Sequence, residues 1–274
     1  MTWRTTSDLD EFIAATHDLL HSDVAGNTII LTTLENLAVR GPHTYSDEAP
    51  RYGWWSMDGI VTGAYLQTPP FPVLLTDLPD DAVPALIETL NPANINAERA
   101  LAETIGEIWH RRAGVEPVVE RRTRLYRLGQ LLPPDPAPPG QPRVAGTDDR
   151  ALLFDWHDRF HHEVGEEIGD RTTIIDDKIS YGGLTLWEVD AIPVAMAGRT
   201  RVSGGMIRIG PVFTPVELRS QGYGGAVTAA VSAAAQQLAA EVLLFTDLTN
   251  PISNAIYQRL GYQPVQDRWV VHCG

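Results

Sequence analysis

Residues 209–225 read Ile209-Gly210-Pro211-Val212-Phe213-Thr214-Pro215-Val216-Glu217-Leu218-Arg219-Ser220-Gln221-Gly222-Tyr223-Gly224-Gly225. An apolar strand ends, a short loop follows, and a glycine-rich turn opens a helix. Glycine lets the backbone take left-handed angles and approach a ligand closely. The N–H groups at a helix start converge on one spot and favour an anion, most often phosphate. Arg219 adds a charge-assisted contact. The spacing is neither that of a Walker loop, which needs Gly-Lys-Ser/Thr, nor the G-x-G-x-x-G of dinucleotide folds. Gly210-Pro211 breaks the preceding strand, because proline cannot donate to a ladder.

Working outward, the C-terminal half alternates strands with single helices. Strands are expected at 143–145, 184–189, 193–202, 206–213, 242–245 and 269–271, with a turn at Asp190-Ala191. Helices are expected at 148–167, at the alanine-rich 222–240, and at 253–260. The pattern predicts a mixed α/β sheet.

A second motif follows, Asn250-Pro251-Ile252-Ser253-Asn254-Ala255-Ile256-Tyr257-Gln258-Arg259-Leu260-Gly261-Tyr262. Asn250 and Ser253 sit at a helix start. Tyr257 lies one turn on from Ser253 on the same face, and Gly261 ends the helix with a left-handed residue.

Over roughly 143–274 the chain resembles the GNAT superfamily of N-acetyltransferases. Arg219, Gly222 and Gly224 meet the family's Gln/Arg-x-x-Gly-x-Gly/Ala signature. Asn250, Ser253, Tyr257, Gly261 and Tyr262 meet Asn-x-x-Ser/Ala-x-x-x-Tyr-x-x-x-Gly-Phe/Tyr. The resemblance implies the acyl-CoA N-acyltransferase fold and acetyl-coenzyme A as cosubstrate. Val212, Phe213 and Thr214 would pair with the pantetheine arm like an added strand. Arg219, Ser220, Gln221, Gly222, Tyr223, Gly224 and Gly225 would hold the pyrophosphate, and Asn250, Ser253 and Tyr257 the thioester end.

Acyl transfer from a thioester to an amine needs a neutral amine, a donor to the oxyanion and a proton for the departing thiolate. In the family, a strand N–H near Val212 or Phe213 serves the oxyanion, and the tyrosine at the Tyr257 position protonates the sulfur. A phenol, with a reference pKa of about 10, starts protonated at neutral pH. Packing against the cofactor arm is the alternative role for Tyr257. No residue marks itself as the base. Glu163, Glu166, Glu167 and Asp247 border the expected acceptor site, and Asp247 is the best placed of them. Each could equally cap a turn, and a water chain could serve instead. His157 and His161 share a helix face beside His162, without the adjoining glutamate of a zinc helix. No metal is expected.

The N-terminal half repeats the alternation less clearly. Helices are expected at 9–20, 80–90 and 97–112, strands at 59–66, 72–75 and 122–128, and either at 27–34. After the 59–66 strand the chain reads Thr68-Pro69-Pro70-Phe71-Pro72 rather than a glycine-rich turn. The expected organisation is a degenerate GNAT-like or accessory domain over 1–130 without a coenzyme A motif, a proline-rich linker over 131–142, and the catalytic domain over 143–274. Walling the acceptor cleft, completing the core and pairing two subunits as a homodimer are the roles open to the first half.

The net charge of −14 is spread over both halves, with 10 basic and 18 acidic residues in 1–130 against 11 and 17 in 131–274. Such a field repels phosphate backbones, so no nucleic-acid partner is expected, and it attracts cationic small molecules. No apolar run approaches the roughly 18–20 residues of a membrane span. The start lacks a signal-peptide pattern. One cysteine, Cys273, excludes an internal disulfide framework and reads as a small buried residue. A cytoplasmic location is expected. The expected reaction is acetyl transfer to a primary amine of a small cationic molecule. Acetylation of a protein amino group, transfer of a longer acyl chain, and a non-catalytic coenzyme A sensing or structural module are the alternatives.

Overall fold

A computed structural model describes residues 2–114, 116–165 and 171–273. The expectations for Glu166 and Glu167, and for the side chain of Cys273, lie outside the described residues. The chain forms two compact units. The first comprises 1–125, 247–249 and 265–274, and the second 126–246 and 250–264. The proline-rich stretch 131–142 therefore lies inside the second unit.

The same order of elements occurs twice. In the first half it runs β1 (Thr2–Thr6), α1 (Leu9–Ser22), α2 (Thr28–Arg40), β2 (Arg51–Met57), β3 (Ile60–Gln67), β4 (Val73–Leu75), α3 (Ala82–Leu90), β5 (Asn94–Glu98), α4 (Arg99–Ala113) and β6 (Pro117–Leu128). It then runs β7 (Gln141–Val144), α5 (Arg150–Val164), α6 (Arg171–Ser180), β8 (Leu184–Val189), β9 (Ile192–Arg199), β10 (Met206–Phe213), α7 (Tyr223–Gln236), β11 (Glu241–Asp247), α8 (Pro251–Arg259) and β12 (Tyr262–Cys273). In each copy the first four strands pair antiparallel in chain order, and the fourth pairs parallel with the fifth. A crossover helix must link two parallel neighbours, and α3 and α7 fill that role.

Several local departures from expectation have plain causes. Of residues 27–34, open to either reading, Asn27 is the N-cap and 28–34 are helical within α2, where Ile30, Leu31, Leu34 and Leu37 give a helical apolar stripe. The helix expected from Ala97 starts at Arg99, because Asn94–Glu98 is a strand. Its Ile95 and Ala97 point inward and are fully buried, while the intervening asparagines mask the alternation. The helix expected over 148–167 begins as a short 3₁₀ turn at Thr147–Asp149 and is closed by left-handed Gly165.

The first unit's sheet runs β1-β2-β3-β4-β5-β12, so its last strand comes from the far end of the chain. Arg268 of β12 pairs with Glu98, and its side chain is 4% exposed inside this unit. Nη2 donates to the Leu75 and Asn96 carbonyls at 3.0 and 2.9 Å, and Nε to Asn96 Oδ1 at 3.1 Å. Burial lowers its pKa to about 10, so the guanidinium is still charged at neutral pH. Arg268→Met is expected to destabilise the protein by about 3 kcal/mol, since it strands several buried acceptors. Urea unfolding of the full chain checks this, and a shift within error of zero would contradict it.

The second unit's sheet places β11 beside β10, followed by β9, β8 and β7. One face packs α7 and α8 against Tyr126, Ala195, Ala197, Ile207, Val242 and Leu244. The other packs α5 and α6 against Leu184, Leu186, Met196 and Phe213.

Candidate functional site

Where β10 meets its neighbours decides the geometry. It pairs in parallel with β11 over only four residues, Met206 to Ile209 against Glu241 to Leu244. On its other edge Ile209 opposes Arg199, but Val212 opposes Ala197, so Gly210 and Pro211 together face Gly198. This is a bulge, and Gly210 carries it with φ +148°. A Cβ on Gly198 would sit 2.7 Å from the Gly210 carbonyl oxygen, so the facing residue must be glycine too. Past Ile209, residues up to Phe213 keep β9 on one edge and have no ladder partner on the other among the described residues. Val212 and Phe213 thus have one backbone edge open.

The turn after β10 is built to leave amides unused. Thr214 and Pro215 lead into a 3₁₀ turn at Val216–Leu218. Ser220 (φ 64°) and Gly222 (φ 84°) are left-handed, and Gly222 is the N-cap of α7 without any side-chain cap. The first backbone bond of the helix is Ala226 N–H to Gly222 O at 3.0 Å. The amides of Tyr223, Gly224 and Gly225 precede that bond and face outward from the helix start. A Cβ at Gly224 would lie 3.3 Å from Thr214 Oγ1, so the loop and the helix approach closely there.

The proline-rich stretch borders this turn. Gly129 and Leu132 donate to the carbonyls of Gly261 and Leu260, and Trp187 Nε1 donates to Pro139 O at 2.8 Å. Cβ atoms built on Gly222 and Gly225 would meet Pro138 at 3.6 Å and Pro134 at 3.8 Å. Sequence reading took these prolines as a connector. What was missed is their contact with the glycine turn, which no local pattern announces.

Arg219 is exposed, but both sides of its guanidinium are engaged. Its Nε donates to Thr214 O at 3.0 Å, and its Nη2 to Glu163 Oε2 at 2.5 Å. Glu163 is therefore an ion-pair partner of the arginine, which argues against a role as base. Arg159, four residues earlier on α5, donates to Glu217 Oε2 at 3.2 Å and stands over the Phe213 ring at 5.4 Å. The Glu217 carboxyl is held below its usual range by its own backbone N–H and by the nearby Arg159 and Arg219.

The second motif forms α8 as the spacing predicts. Asn250 caps it, Oδ1 accepting from Ser253 N–H at 3.0 Å, and Pro251 fills the first turn. Tyr126 OH donates to Asn254 Oδ1 at 2.9 Å and accepts from Gln258 Nε2 at 3.0 Å, which pins the helix on either side of Tyr257. Tyr257 is 9% exposed and packs edge-on against Tyr262, whose hydroxyl shares a 2.7 Å bond with Ser232 Oγ of α7. The Tyr257 hydroxyl forms no hydrogen bond among the described residues, and burial pushes its pKa up to about 12. Asp247 is exposed at the end of β11, and its Oδ1 accepts from both the N–H and the Oγ1 of Thr249 at 2.6 Å. That is the turn-capping arrangement. His157 and His161 sit Nε2 to Nε2 at 3.2 Å.

The first unit has the equivalent turn between β4 and α3, over Thr76-Asp77-Leu78-Pro79-Asp80-Asp81. Thr68–Pro72, the stretch expected to correspond, lies one loop earlier, between β3 and β4. β4 is only three residues long, too short to set its register by pattern. The true counterpart holds three aspartates and no glycine, chemistry that repels phosphate.

A bulged fourth strand splayed from the fifth, followed by an uncapped glycine turn, gives the second unit the GNAT fold, and the first unit repeats the order of elements without the glycine turn, so the chain is a tandem of two GNAT-like domains. Residues 191–270 match the family model described as FR47-like protein. The chain is similar over its length to an acetyltransferase of the GNAT family from Colwellia psychrerythraea, at 11% identity and TM-score 0.61, covering 100% of this chain and 99% of that one. A GCN5-related N-acetyltransferase from Kribbella flavida matches at 18% identity and TM-score 0.59, over 91% and 95% of the two chains. A tandem GNAT protein from the clavulanic acid biosynthesis pathway matches at 14% identity and TM-score 0.58, over 98% and 97%. No curated protein matches the chain. No helix among the described residues is long and apolar enough to cross a membrane.

Proposed function

We propose that this chain transfers the acetyl group of acetyl-coenzyme A to a primary amine, using the second unit alone to hold the cofactor. The observation that carries this is the uncapped start of α7, with Gly222 left-handed and three amides before the first helical bond. A phosphate group would satisfy those amides, which no side chain caps. Acetyl-coenzyme A would supply the activated acetyl thioester. The open edge of Val212 and Phe213 offers backbone groups to the pantetheine arm and an N–H to the developing oxyanion. The buried, unpartnered phenol of Tyr257 holds the proton that the departing sulfur needs. Holding both reactants in one cleft supplies much of the rate.

The three aspartates in the first unit's turn support one cofactor per chain. The charge of −14 favours a small cationic amine as acceptor. Calorimetry of the full chain should find one coenzyme A per chain, and a screen of amines with acetyl-coenzyme A should release free thiol. Two molecules bound per chain would overturn the assignment to the second unit. Tight binding without thiol release for any amine, peptide amines included, would replace the enzyme by a coenzyme A sensing module.

A further inference from the structure

The arginine of the phosphate turn is paired with one carboxylate and lies near a second. Glu163, in the last turn of α5, takes Nη2 at 2.5 Å. Glu217, in the turn itself, feels the charge of Arg219 as well as that of its own partner Arg159. These four side chains, Arg159, Glu163, Glu217 and Arg219, neutralise one another beside the α7 amides. An anion docking there meets helix amides and an arginine whose charge is already matched. The Arg219 and Glu163 side chains are 44% and 37% exposed. Ion pairs so accessible to water contribute little and exchange easily.

We propose that Glu163 is a built-in competitor of the cofactor's phosphates, a positioning residue that lowers coenzyme A affinity by holding Arg219. The proposal rests on the reading of this turn as the coenzyme A site. Phosphate must take Arg219 from Glu163 or share it, so binding loosens the tie between the turn and the last turn of α5. The coupling is reciprocal: whatever orders α5 with Glu163 engaged weakens cofactor binding by the same factor.

Glu163→Gln tests the idea, because the amide keeps an acceptor for Arg219 and removes only the charge. Calorimetry on the full chain compares wild type, Glu163→Gln, Arg219→Gln and the double variant, each with coenzyme A and with pantetheine, which has no phosphate. Glu163→Gln should tighten coenzyme A about five-fold at low salt, the size of one exposed ion pair. The gain should shrink at high salt, vanish in the Arg219→Gln background and be absent for pantetheine. Unchanged or weaker coenzyme A binding by Glu163→Gln, or a gain that survives Arg219→Gln, would overturn the inference while leaving the cofactor site standing. Wild-type protein that binds no coenzyme A would sink the cofactor reading, and this inference with it.

Discussion

Tyr257→Phe is expected to lower kcat by about 100-fold, the low end for loss of a positioned acid, with coenzyme A affinity within about two-fold of wild type. The ring supplies the packing against Tyr262, and phenylalanine keeps it. Only the hydroxyl is lost, and it has no hydrogen-bond partner among the described residues, so removing it leaves no buried group stranded. Fold and cofactor binding should therefore survive while proton donation does not. The pH profile adds a second check. An acid works while protonated, and burial raises this phenol's pKa to about 12. Its folded-state pKa thus lies above that of a free tyrosine, so wild-type kcat should not fall through pH 10 on its account. A loss of kcat with a midpoint near pH 10, absent in Tyr257→Phe, would mean that the phenol is not buried as described. Equal kcat in the two proteins at all pH values would leave Tyr257 with packing alone.

Gly222→Val should cut coenzyme A affinity by at least about 10-fold, through backbone rather than contact chemistry. A β-branched residue at φ 84° costs on the order of 1–2 kcal/mol, and the helix start relieves that strain by rotating. Its Cβ would meet Pro138 at an ordinary contact distance of 3.6 Å, so the strain lies in the backbone. That rotation turns the Tyr223, Gly224 and Gly225 amides off their common target. Calorimetry with coenzyme A reads the loss, and pantetheine should be affected less, since it does not engage those amides. Wild-type coenzyme A affinity in the Gly222→Val protein would remove the turn from the site.

Much of the second unit was readable along the chain because its signals are local. The left-handed Gly222, the break at Gly210-Pro211, the Asn250 cap and the Asn250–Tyr262 spacing each act within a few residues. The hairpin at Asp190-Ala191 belongs with them, both residues taking positive φ. The first half was less legible where elements are short or lack β-prone residues. The last two residues of β5, which has two asparagines in five, read as the start of a helix, and the three-residue β4 hides which loop is the counterpart of the glycine turn. The acid candidates show the limit from the other side. Sequence position offered Glu163 and Asp247 as bases, with Asp247 the better placed, yet one is held by Arg219 and the other caps Thr249.

Sequence by itself determined the alternating α/β pattern, the anion-favouring turn at Arg219–Gly225 and the position of Tyr257 one helical turn past Ser253. Helix caps, glycine angles and hydrophobic periods are properties of neighbouring residues, so they survive in a single line of text. Tertiary structure alone decided that the strand holding Arg268 closes the first unit, that Pro134 and Pro138 border the glycine turn, and that Glu163 reaches Arg219 across 56 residues. Those relations depend on which side chains the packed sheets and helices bring within a few ångströms, and spacing along the chain carries no record of them.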